Sequence, residues 1–278
     1  MKSGALPALV PRLTFFAVAS LLAIGCGSFA IWRSGGGAVI ALGNLVGWGI
    51  GLVAAIAILV VPRVPRAAEI FLAATMITMA ATFADNGLSG VHRWISIGPL
   101  RANIAALFLP AFVAILCARQ TNQRLTALLW LAAMTLLLAQ PDASQATALA
   151  IAAPLLFPHW PPKWRWPLLA VTVVLAATSW LRPDPLQPVA EVEGIIELMW
   201  QISPALAAIG SAALAATIIA VRWADTSSTA LTAYCAAVTL IPAFGHFPVP
   251  LAGAGISFPL GWWLGIAAVL RSQKYDQA

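Results

Sequence analysis

Residues 39–61 read VIALGNLVGWGIGLVAAIAILVV, a stretch of 23 residues without a charged side chain. An α-helix of about 20 apolar residues is long enough to cross the hydrocarbon core of a bilayer. Comparable apolar runs recur along the whole chain, separated by short stretches that contain proline, glycine and charged residues. The segment therefore predicts a membrane-spanning helix, and its repetition predicts a chain that crosses the membrane many times.

The overall composition indicates the same class of protein. Of the 278 residues, 61% are hydrophobic and 9% are charged, with a mean hydropathy of +0.91. A soluble domain carries about 25% charged residues, so this chain has too few polar side chains to cover a water-soluble globule. No stretch resembles a linker between domains. We expect residues 1–278 to form one all-α domain, a polytopic membrane bundle.

Hydropathy and breaker residues together predict about ten membrane spans. Their expected limits are residues 13–32, 39–61, 67–84, 102–117, 125–139, 144–157, 166–180, 195–221, 231–244 and 253–270. Segments 144–157 and 231–244 are short for a bilayer, so they cross only if their flanks extend the helix or if the bundle shields them. A chain with eight spans and two re-entrant segments is the alternative.

Lysine and arginine residues predict the orientation, because short loops on the cytoplasmic side retain them. If the N-terminus is cytoplasmic, the inner loops hold Lys2, Arg12, Arg63, Arg66, Arg119, Arg124, Lys163, Arg165, Arg222, Arg271 and Lys274. The outer loops hold only Arg33, Arg93, Arg101 and Arg182. We therefore expect both termini in the cytoplasm. The formal net charge of +6 then reflects attraction to anionic membrane lipid, and no nucleic-acid partner is expected.

The acidic residues are the candidates for chemistry, because the sequence contains no nucleotide-binding, zinc-protease or serine-hydrolase motif. Six of the nine lie at or near the expected outer face: Asp85, Asp142, Asp184, Glu191, Glu193 and Glu197. Carboxylates beside a membrane are costly to desolvate and therefore suggest function. Simple hydration is the alternative, and for Asp142 helix capping is another. On a helix, Glu193 and Glu197 would share a face and could bind a divalent cation.

Three segments carry a resemblance to a known family. Residues 90–100, GVHRWISIGPL, resemble the G-x-x-R-W-I-x-x-G loop of the SEDS family, the FtsW/RodA/SpoVE proteins that polymerise lipid-linked cell-wall precursor. Residues 139–149, AQPDASQATAL, resemble that family's Q-P-D-x-G-T-A segment. Residues 246–257, HFPVPLAGAGIS, are similar to its closing G-x-x-L-P-F-x-S-Y-G-G-S motif. The three occur in the family's order and on the expected outer face.

A fourth segment bears on catalysis. Residues 188–196, PVAEVEGII, are similar to the family's outer-loop segment P-E-A-H-T-D-F-I-F, whose aspartate is the essential acid or base. The resemblance implies Glu193 at the aspartate and Glu191 at the histidine. One departure stands against activity. Where the family usually has Q-P-S-E-F-x-K, residues 103–109 read NIAALFL, so the glutamate and the lysine are absent.

The resemblance implies an inverting glycosyltransferase of the bacterial cytoplasmic membrane that polymerises lipid II for cell division or cell shape. Glu193 is the expected catalytic base, because a carboxylate must accept the proton of the attacking sugar hydroxyl. Arginine pairs well with phosphate oxygens, so Arg93 is the expected pyrophosphate contact. Snorkelling to lipid headgroups is the alternative for that residue. The other expected substrate contacts are Trp94, Arg101, Asp142, Arg182, Glu191 and Ser257.

The resemblance also implies a penicillin-binding transpeptidase, or other division or elongation proteins, as partners, and Mg²⁺ or Mn²⁺ as a cofactor. Two other functions stay open. One is a non-catalytic scaffold or precursor-binding partner, which the missing glutamate and lysine favour. The other is a flippase for lipid-linked precursor, which is less favoured because ionisable residues are almost absent from the spans.

Overall fold

The computed structural model describes residues 6–62, 64–98, 100–118, 122–158, 160–222 and 225–276. Lys2, Arg63 and Arg119, three of the cations that predict the orientation, lie outside these ranges. The described residues form eleven α-helices: α1 (Leu6–Arg33), α2 (Ala38–Val60), α3 (Ala67–Ala81), α4 (Ile104–Ala118), α5 (Gln123–Ala139), α6 (Ala143–Leu156), α7 (Pro162–Trp180), α8 (Ile195–Ile202), α9 (Pro204–Val221), α10 (Thr226–Leu240) and α11 (Ser257–Asp276). The predicted helical bundle is confirmed.

Polar residues start several helices by supplying an acceptor for a free backbone N–H. At the start of α5, Asn122 Oδ1 accepts from Leu125 N–H at 3.1 Å. At the start of α10, the Asp225 carboxylate accepts from Ser228 N–H at 2.8 Å. The first residue of α7 is Pro162, whose missing N–H costs nothing at this position. Short polar or proline-containing turns therefore separate the apolar helices, as the sequence pattern predicts.

A small β-hairpin is the part of the described chain that the all-α prediction did not include. Strands β1 (Trp94–Ile97) and β2 (Leu100–Asn103) pair antiparallel, with Trp94 opposite Asn103. The turn contains Gly98 with φ +60°, a left-handed conformation that glycine adopts without strain. The predicted span at residues 102–117 therefore starts too early, because its first two residues belong to β2.

The predicted span at residues 195–221 is also wrong as a single helix. Ser203 has an extended backbone with φ −165° and ψ 127°, and it separates α8 from α9. The cause is Pro204, because the proline ring disfavours helical geometry in the preceding residue. The short α8 buries Ile195 and Met199 and exposes Trp200, so one of its faces packs on the bundle while the other faces outward.

The two short predicted spans are explained in different ways. Helix α6 has only 14 residues, and most of them are buried by neighbouring helices, chiefly α10 and α7. Helix α10 starts at Thr226, five residues earlier than predicted, and continues through a 3-10 turn, Ile241–Phe244. The first segment is thus shielded inside the bundle and the second is extended by its flanks.

The outer surface of the bundle is apolar. Five helical stretches of the described chain are long and apolar enough to cross a membrane: Pro11–Arg33, Ala38–Val60, Ala67–Ala84, Pro204–Val221 and Thr226–Phe244. Their outward side chains include Val39, Val53 and Ile77, each more than 65% exposed. Water would penalise such a surface, whereas lipid matches it. The chain is therefore a multi-pass membrane protein.

The described loops sort into two ends of the bundle. At one end, the Arg271 guanidinium donates to the Pro62 carbonyl at 3.1 Å, and Gln273 Nε2 donates to the Asp225 carboxylate at 2.6 Å. At the other end, the loops around residues 82–103, 140–142, 181–194 and 241–256 contact one another. The four segments that resemble the SEDS family all lie at this second end.

Candidate functional site

Arg93 lies immediately before β1 and is almost fully buried, with 5% of its surface exposed. Its Nε donates to the Gln140 carbonyl at 3.2 Å, and its Nη2 donates to the Pro141 carbonyl. Nη2 also lies 2.6 Å from Asp184 Oδ2, an ion pair that joins two loops far apart in sequence. The guanidinium thus points into the protein, where two carbonyls and a carboxylate satisfy it.

Asp142 serves both as a helix cap and as part of this ionic group. Its Oδ1 accepts from Gln145 N–H at 3.2 Å and from the Ser144 hydroxyl at 3.1 Å, at the start of α6. Its Oδ2 lies 4.0 Å from Arg93 Nε. The residue is 3% exposed, so the nearby guanidinium compensates a carboxylate that would otherwise be buried without a counter-charge.

Asp184 is a site residue that the sequence places among the outer-face carboxylates without a specific role. Its side chain is 29% exposed, and besides Arg93 it accepts from Leu186 N–H at 3.1 Å through Oδ1. The sequence signal is weak, because Asp184 lies between two prolines in a loop, where such residues usually form turns. Only the tertiary contact with Arg93 distinguishes it from an ordinary turn residue.

Glu193 lies in the turn at residues 189–194, just before α8. Its Oε2 accepts from Val189 N–H at 2.8 Å. Partial burial raises the pKa of the Glu193 carboxyl above its ordinary value of 4.5. The Val189 N–H and the positive charge of Arg93 oppose that rise, whereas the negative charge of Asp184 adds to it. Glu193 therefore belongs electrostatically to the same group, which we call the carboxylate cluster: Arg93, Asp142, Asp184 and Glu193.

Arg101 and Trp94 lie on the hairpin. Arg101 is exposed on β2, opposite Ser96. The N–H groups of Ser96 and Gly87 bind the Asp85 carboxylate, and together with the more distant charge of Arg101 they lower the pKa of Asp85. Trp94 is half-buried at the start of β1. Both residues are adjacent to Arg93 in the chain or the sheet, but neither contributes to the contacts of the carboxylate cluster described above.

Ser257 and Glu191 link backbone segments. Ser257 is 5% exposed, and its hydroxyl accepts from Asn103 N–H at 2.9 Å, which ties α11 to the hairpin. The Glu191 carbonyl accepts from Ala254 N–H at 2.8 Å. Arg182 is exposed near the end of α7. These residues surround the carboxylate cluster at the same end of the bundle.

The segment that departs from the SEDS pattern is part of the packed core. Asn103 Oδ1 accepts from Ala106 N–H at 2.9 Å and so caps α4. Ala106 and Leu109, which align with the glutamate and the lysine of the SEDS pattern, are both fully buried and pack within the bundle. The charges that the family usually places here are therefore replaced by apolar packing.

The described residues do not form a protein-based metal site. No group of three or more His, Cys, Asp or Glu side chains within them is arranged to hold a metal ion. Glu193 and Glu197, whose spacing suggested a shared cation, have different partners, because Glu197 accepts from Gln201 Nε2 at 3.1 Å along α8. Near Asp142 and Asp184, the Arg93 guanidinium supplies the positive charge.

Gln140 is a further buried residue that sequence reasoning did not assign. Its Nε2 donates to the Met79 carbonyl at 3.0 Å and to the Thr82 hydroxyl at 2.8 Å. Since the backbone carbonyl of Gln140 accepts from Arg93 Nε, Gln140 joins the end of α3 to the carboxylate cluster. A glutamine at the end of a predicted span is a detectable signal, but its partners depend on the fold.

The comparisons with known proteins give matches at the level of structure. No protein-family model and no curated protein matches the sequence. The solved structure of the rod-shape-determining protein RodA from Thermus thermophilus matches with a TM-score of 0.64 and 19% identity, over 94% of each chain. An aspartate-to-alanine mutant of that protein matches with a TM-score of 0.63 and 20% identity, over 94% of this chain and 95% of the other.

A third solved structure comes from work on polymerization and crosslinking by a peptidoglycan synthase complex. It matches with a TM-score of 0.60 and 19% identity, over 96% of this chain and 98% of the other. The SEDS resemblance drawn from short sequence segments thus agrees with the arrangement of nearly the whole chain. The chain has the fold of RodA.

Proposed function

We propose that this protein is a membrane-embedded glycosyltransferase of bacterial cell-wall synthesis that polymerises glycan from lipid-linked disaccharide pyrophosphate. The observation that carries the proposal is the carboxylate cluster. Three loops that are distant in sequence bring one buried arginine and three carboxylates together at one end of a RodA-like bundle. Ionisable side chains buried in a membrane protein are costly and usually mark a functional site.

The proposed topology has ten spans, with both termini in the cytoplasm and the carboxylate cluster on the outer face. Helix α8 lies at the outer interface and is not counted as a separate span. The division of the described loops between two ends of the bundle supports this arrangement, as does the excess of cations in the loops expected inside. Residues 1–278 form a single domain in this proposal, and the membrane is the bacterial cytoplasmic membrane.

The proposed reaction is a single displacement. The acceptor sugar hydroxyl attacks the anomeric carbon of the donor, and the bond from that carbon to the lipid pyrophosphate breaks. Glu193 accepts the hydroxyl proton, and the pyrophosphate departs with the bonding electrons. One displacement inverts the configuration of the anomeric carbon. The raised pKa of Glu193 favours this role, because a general base works best when its pKa lies near the working pH.

Arg93 has a different proposed role from the one that the sequence suggests. Its guanidinium is engaged by two carbonyls and Asp184, so a direct pyrophosphate contact would require Asp184 to move away. We assign to Arg93 the positioning of Asp142 and Asp184 and the provision of positive charge near Glu193. The exposed Arg101 and Arg182 are the cations that can reach a pyrophosphate without breaking an ion pair.

The remaining substrate contacts are proposed from position alone. Trp94 offers a half-buried aromatic face beside Arg93. Ser257 binds the backbone of Asn103, and the Glu191 carbonyl binds the backbone of Ala254. A divalent cation such as Mg²⁺ or Mn²⁺ would have to arrive with the pyrophosphate, because the described residues offer no ligand set for it. The proposed mechanism uses no cation held by the protein.

A penicillin-binding transpeptidase is the proposed partner, alone or with other proteins of division or elongation. The structural similarity to a chain of a peptidoglycan synthase complex supports this. In that arrangement, the glycan made by one protein is crosslinked by the other.

A non-catalytic scaffold or precursor-binding protein is the second candidate. The apolar packing of Ala106 and Leu109 favours it, because these two residues stand where the family usually places a glutamate and a lysine. A flippase is a weaker third candidate, since it would be expected to use ionisable residues within the spans.

The test is polymerisation of labelled lipid-linked precursor by the purified protein, with and without a cognate transpeptidase. We expect glycan chains from the wild type and a loss of at least about 100-fold in rate for Glu193→Gln, as is typical of a general base. Glu197→Gln is the matched control, because its carboxylate is exposed and pairs with Gln201 along α8. Absence of chains under all conditions would favour the scaffold.

A further inference from the structure

Asn44 is a buried amide in the first third of α2, with 1% of its surface exposed. Its Nδ2 donates to the carbonyls of Leu251 and Gly253, both at 2.8 Å, and its Oδ1 accepts from Gly255 N–H at 3.0 Å. Asn44 thus binds three alternate residues of one irregular segment. Within a membrane bundle, backbone groups outside helices need such internal partners, because lipid offers none.

The segment bound by Asn44 also holds the turn that contains Glu193. Val249 N–H donates to the Val192 carbonyl at 3.2 Å, and Ala254 N–H donates to the Glu191 carbonyl at 2.8 Å. Two backbone hydrogen bonds therefore fix the residues directly before Glu193. The amide of Asn44 and the turn at 189–194 are attached to opposite sides of the same short stretch.

Gly253 makes the contact between the two sides especially close. The Gly253 carbonyl accepts from Asn44 Nδ2. A Cβ added at Gly253 would lie 2.3 Å from the Val192 carbonyl oxygen. A shift of Gly253 is therefore passed to Val192 by direct contact, and Val192 is covalently joined to Glu193.

The segment holds conformations that need external support. Leu251 has φ +63°, in the left-handed backbone region that residues with a Cβ seldom adopt. Such a backbone persists only where its surroundings over-determine it. The three hydrogen bonds of Asn44 hold this stretch against α2.

We infer that Asn44 is a positioning residue for Glu193, acting through the backbone of residues 249–255 and 191–192. The inference rests on the proposed role of Glu193 as the catalytic base. It accounts for a fully engaged polar side chain inside a span that otherwise carries only apolar residues, glycine and tryptophan. Asn44 itself touches no substrate in this scheme, since it sets only where the Glu193 carboxylate is presented.

The first test measures the position of the turn without reference to activity. Hydrogen–deuterium exchange of peptides covering residues 189–194 is compared in nanodiscs for the wild type, Asn44→Leu and Gly253→Ala. Asn44→Leu removes all three hydrogen bonds at similar volume. Gly253→Ala keeps Asn44 but pushes on Val192, so it serves if the first variant does not fold. We expect exchange in this turn to rise about tenfold or more in both.

The matched control is Thr217→Val. Thr217 is also fully buried in a span, but its hydroxyl donates to the Ala213 carbonyl of its own helix at 2.7 Å. Exchange at residues 189–194 is expected to stay at the wild-type rate in this variant. Unchanged exchange in a folded Asn44→Leu variant would overturn the inference, as would unchanged exchange in Gly253→Ala where Asn44→Leu does not fold, whether or not the protein is an enzyme.

The second test uses the polymerisation rate. Displacement of a catalytic group by about 1 Å can cost about 100-fold in rate, so we expect Asn44→Leu to lower kcat at least tenfold and leave KM within about twofold. We also expect the pH midpoint of the rate to shift, because Glu193 would move relative to Arg93. Partial unfolding would lower the amplitude without moving the midpoint. A wild type without activity would sink the proposed function but leave the exchange test intact.

Discussion

At the scale of single residues, the surroundings of Arg93 decide between the two interpretations that the sequence left open. A snorkelling arginine directs its guanidinium toward lipid headgroups, but here the guanidinium turns inward to the carbonyls of Gln140 and Pro141 and to Asp184. A residue so engaged stabilises the fold in its own right. Its removal would leave Asp142 buried without a counter-charge.

We expect Arg93→Met to lower the stability of the protein. Breaking a buried ion pair costs about 3–5 kcal/mol, and the partial exposure of Asp184 places the expected loss at or below the lower end of that range, at about 2–3 kcal/mol. Unfolding of the detergent-solubilised protein by heat or by SDS measures it. A variant as stable as the wild type that has nevertheless lost precursor binding would instead assign Arg93 to the substrate.

The pKa of Glu193 predicts a pH dependence with a definite sign. Because burial raises the pKa above 4.5, the folded protein binds this proton more tightly than the unfolded chain does. The contribution of Glu193 to the free energy of unfolding therefore falls as the pH rises from 4.5 through the raised pKa. The polymerisation rate should rise over the same window, because the base must be ionised.

The comparison of wild type with Glu193→Gln isolates that effect. The glutamine variant should lose this part of the pH dependence of unfolding, while Glu197→Gln should keep it. The second measurement is the initial polymerisation rate from about pH 4 to about pH 8, a range around the working pH. A rate that is flat across the acid range would remove Glu193 from the role of base.

At the scale of elements, the start of α6 combines a capping requirement with the ionic group. Asp142 Oδ1 caps the Gln145 N–H of α6 and also accepts from the Ser144 hydroxyl, while its second oxygen faces Arg93. Both roles involve the same carboxylate, but they call for different chemistry. An amide can cap a helix as well as a carboxylate does, whereas only the carboxylate carries charge.

Asp142→Asn and Asp142→Ala separate the two roles. We expect Asp142→Ala to cost about 1 kcal/mol for the lost cap and more for the loss of a negative charge beside Arg93, which keeps Asp184 as a partner. Asp142→Asn should keep the cap and lose only the charge, so it should be the more stable of the two. Equal unfolding free energies for the two variants would contradict a capping role and leave the ion pair as the main contribution.

At the scale of the whole molecule, the carboxylate cluster exists because several loops distant in sequence fold over the same end of the bundle. The segment before the hairpin supplies Arg93, the turn before α6 supplies Asp142, and the connection between α7 and α8 supplies Asp184 and Glu193. The proposed sidedness can be tested with introduced cysteines, since Cys26, Cys117 and Cys235 are all buried.

We expect Gln187→Cys, in the exposed loop beside the carboxylate cluster, to react with a membrane-impermeant maleimide added to intact cells. Lys163→Cys, exposed at the start of α7 at the opposite end, should react only after the membrane is opened. The wild type, with its buried thiols, shows the background labelling. The reverse pattern would invert the topology and place Glu193 in the cytoplasm, where the proposed reaction could not occur.

The sequence by itself determined the class of the protein and most of its helices. Apolar runs such as residues 39–61 must form internally hydrogen-bonded helices in lipid, so hydropathy is sufficient to find them. It failed locally where a backbone effect intervened, at Pro204 within a predicted span and at the hairpin before α4. The segments around Arg93, Asp142 and Glu193 also predicted the fold, because short motifs in a fixed order are specific when taken together.

Only the tertiary structure decided which residues meet. Asp184 and Asn44 are ordinary in sequence, one between prolines and one in an apolar span, and each gains meaning from a partner far along the chain. Ion pairs and side-chain hydrogen bonds act over a few ångströms and require specific geometry, whereas the pattern of apolar residues reports only what prefers lipid to water. The sequence thus determined that the chain is a helical multi-pass membrane protein, and the packing of its loops determined which residues meet at the candidate site.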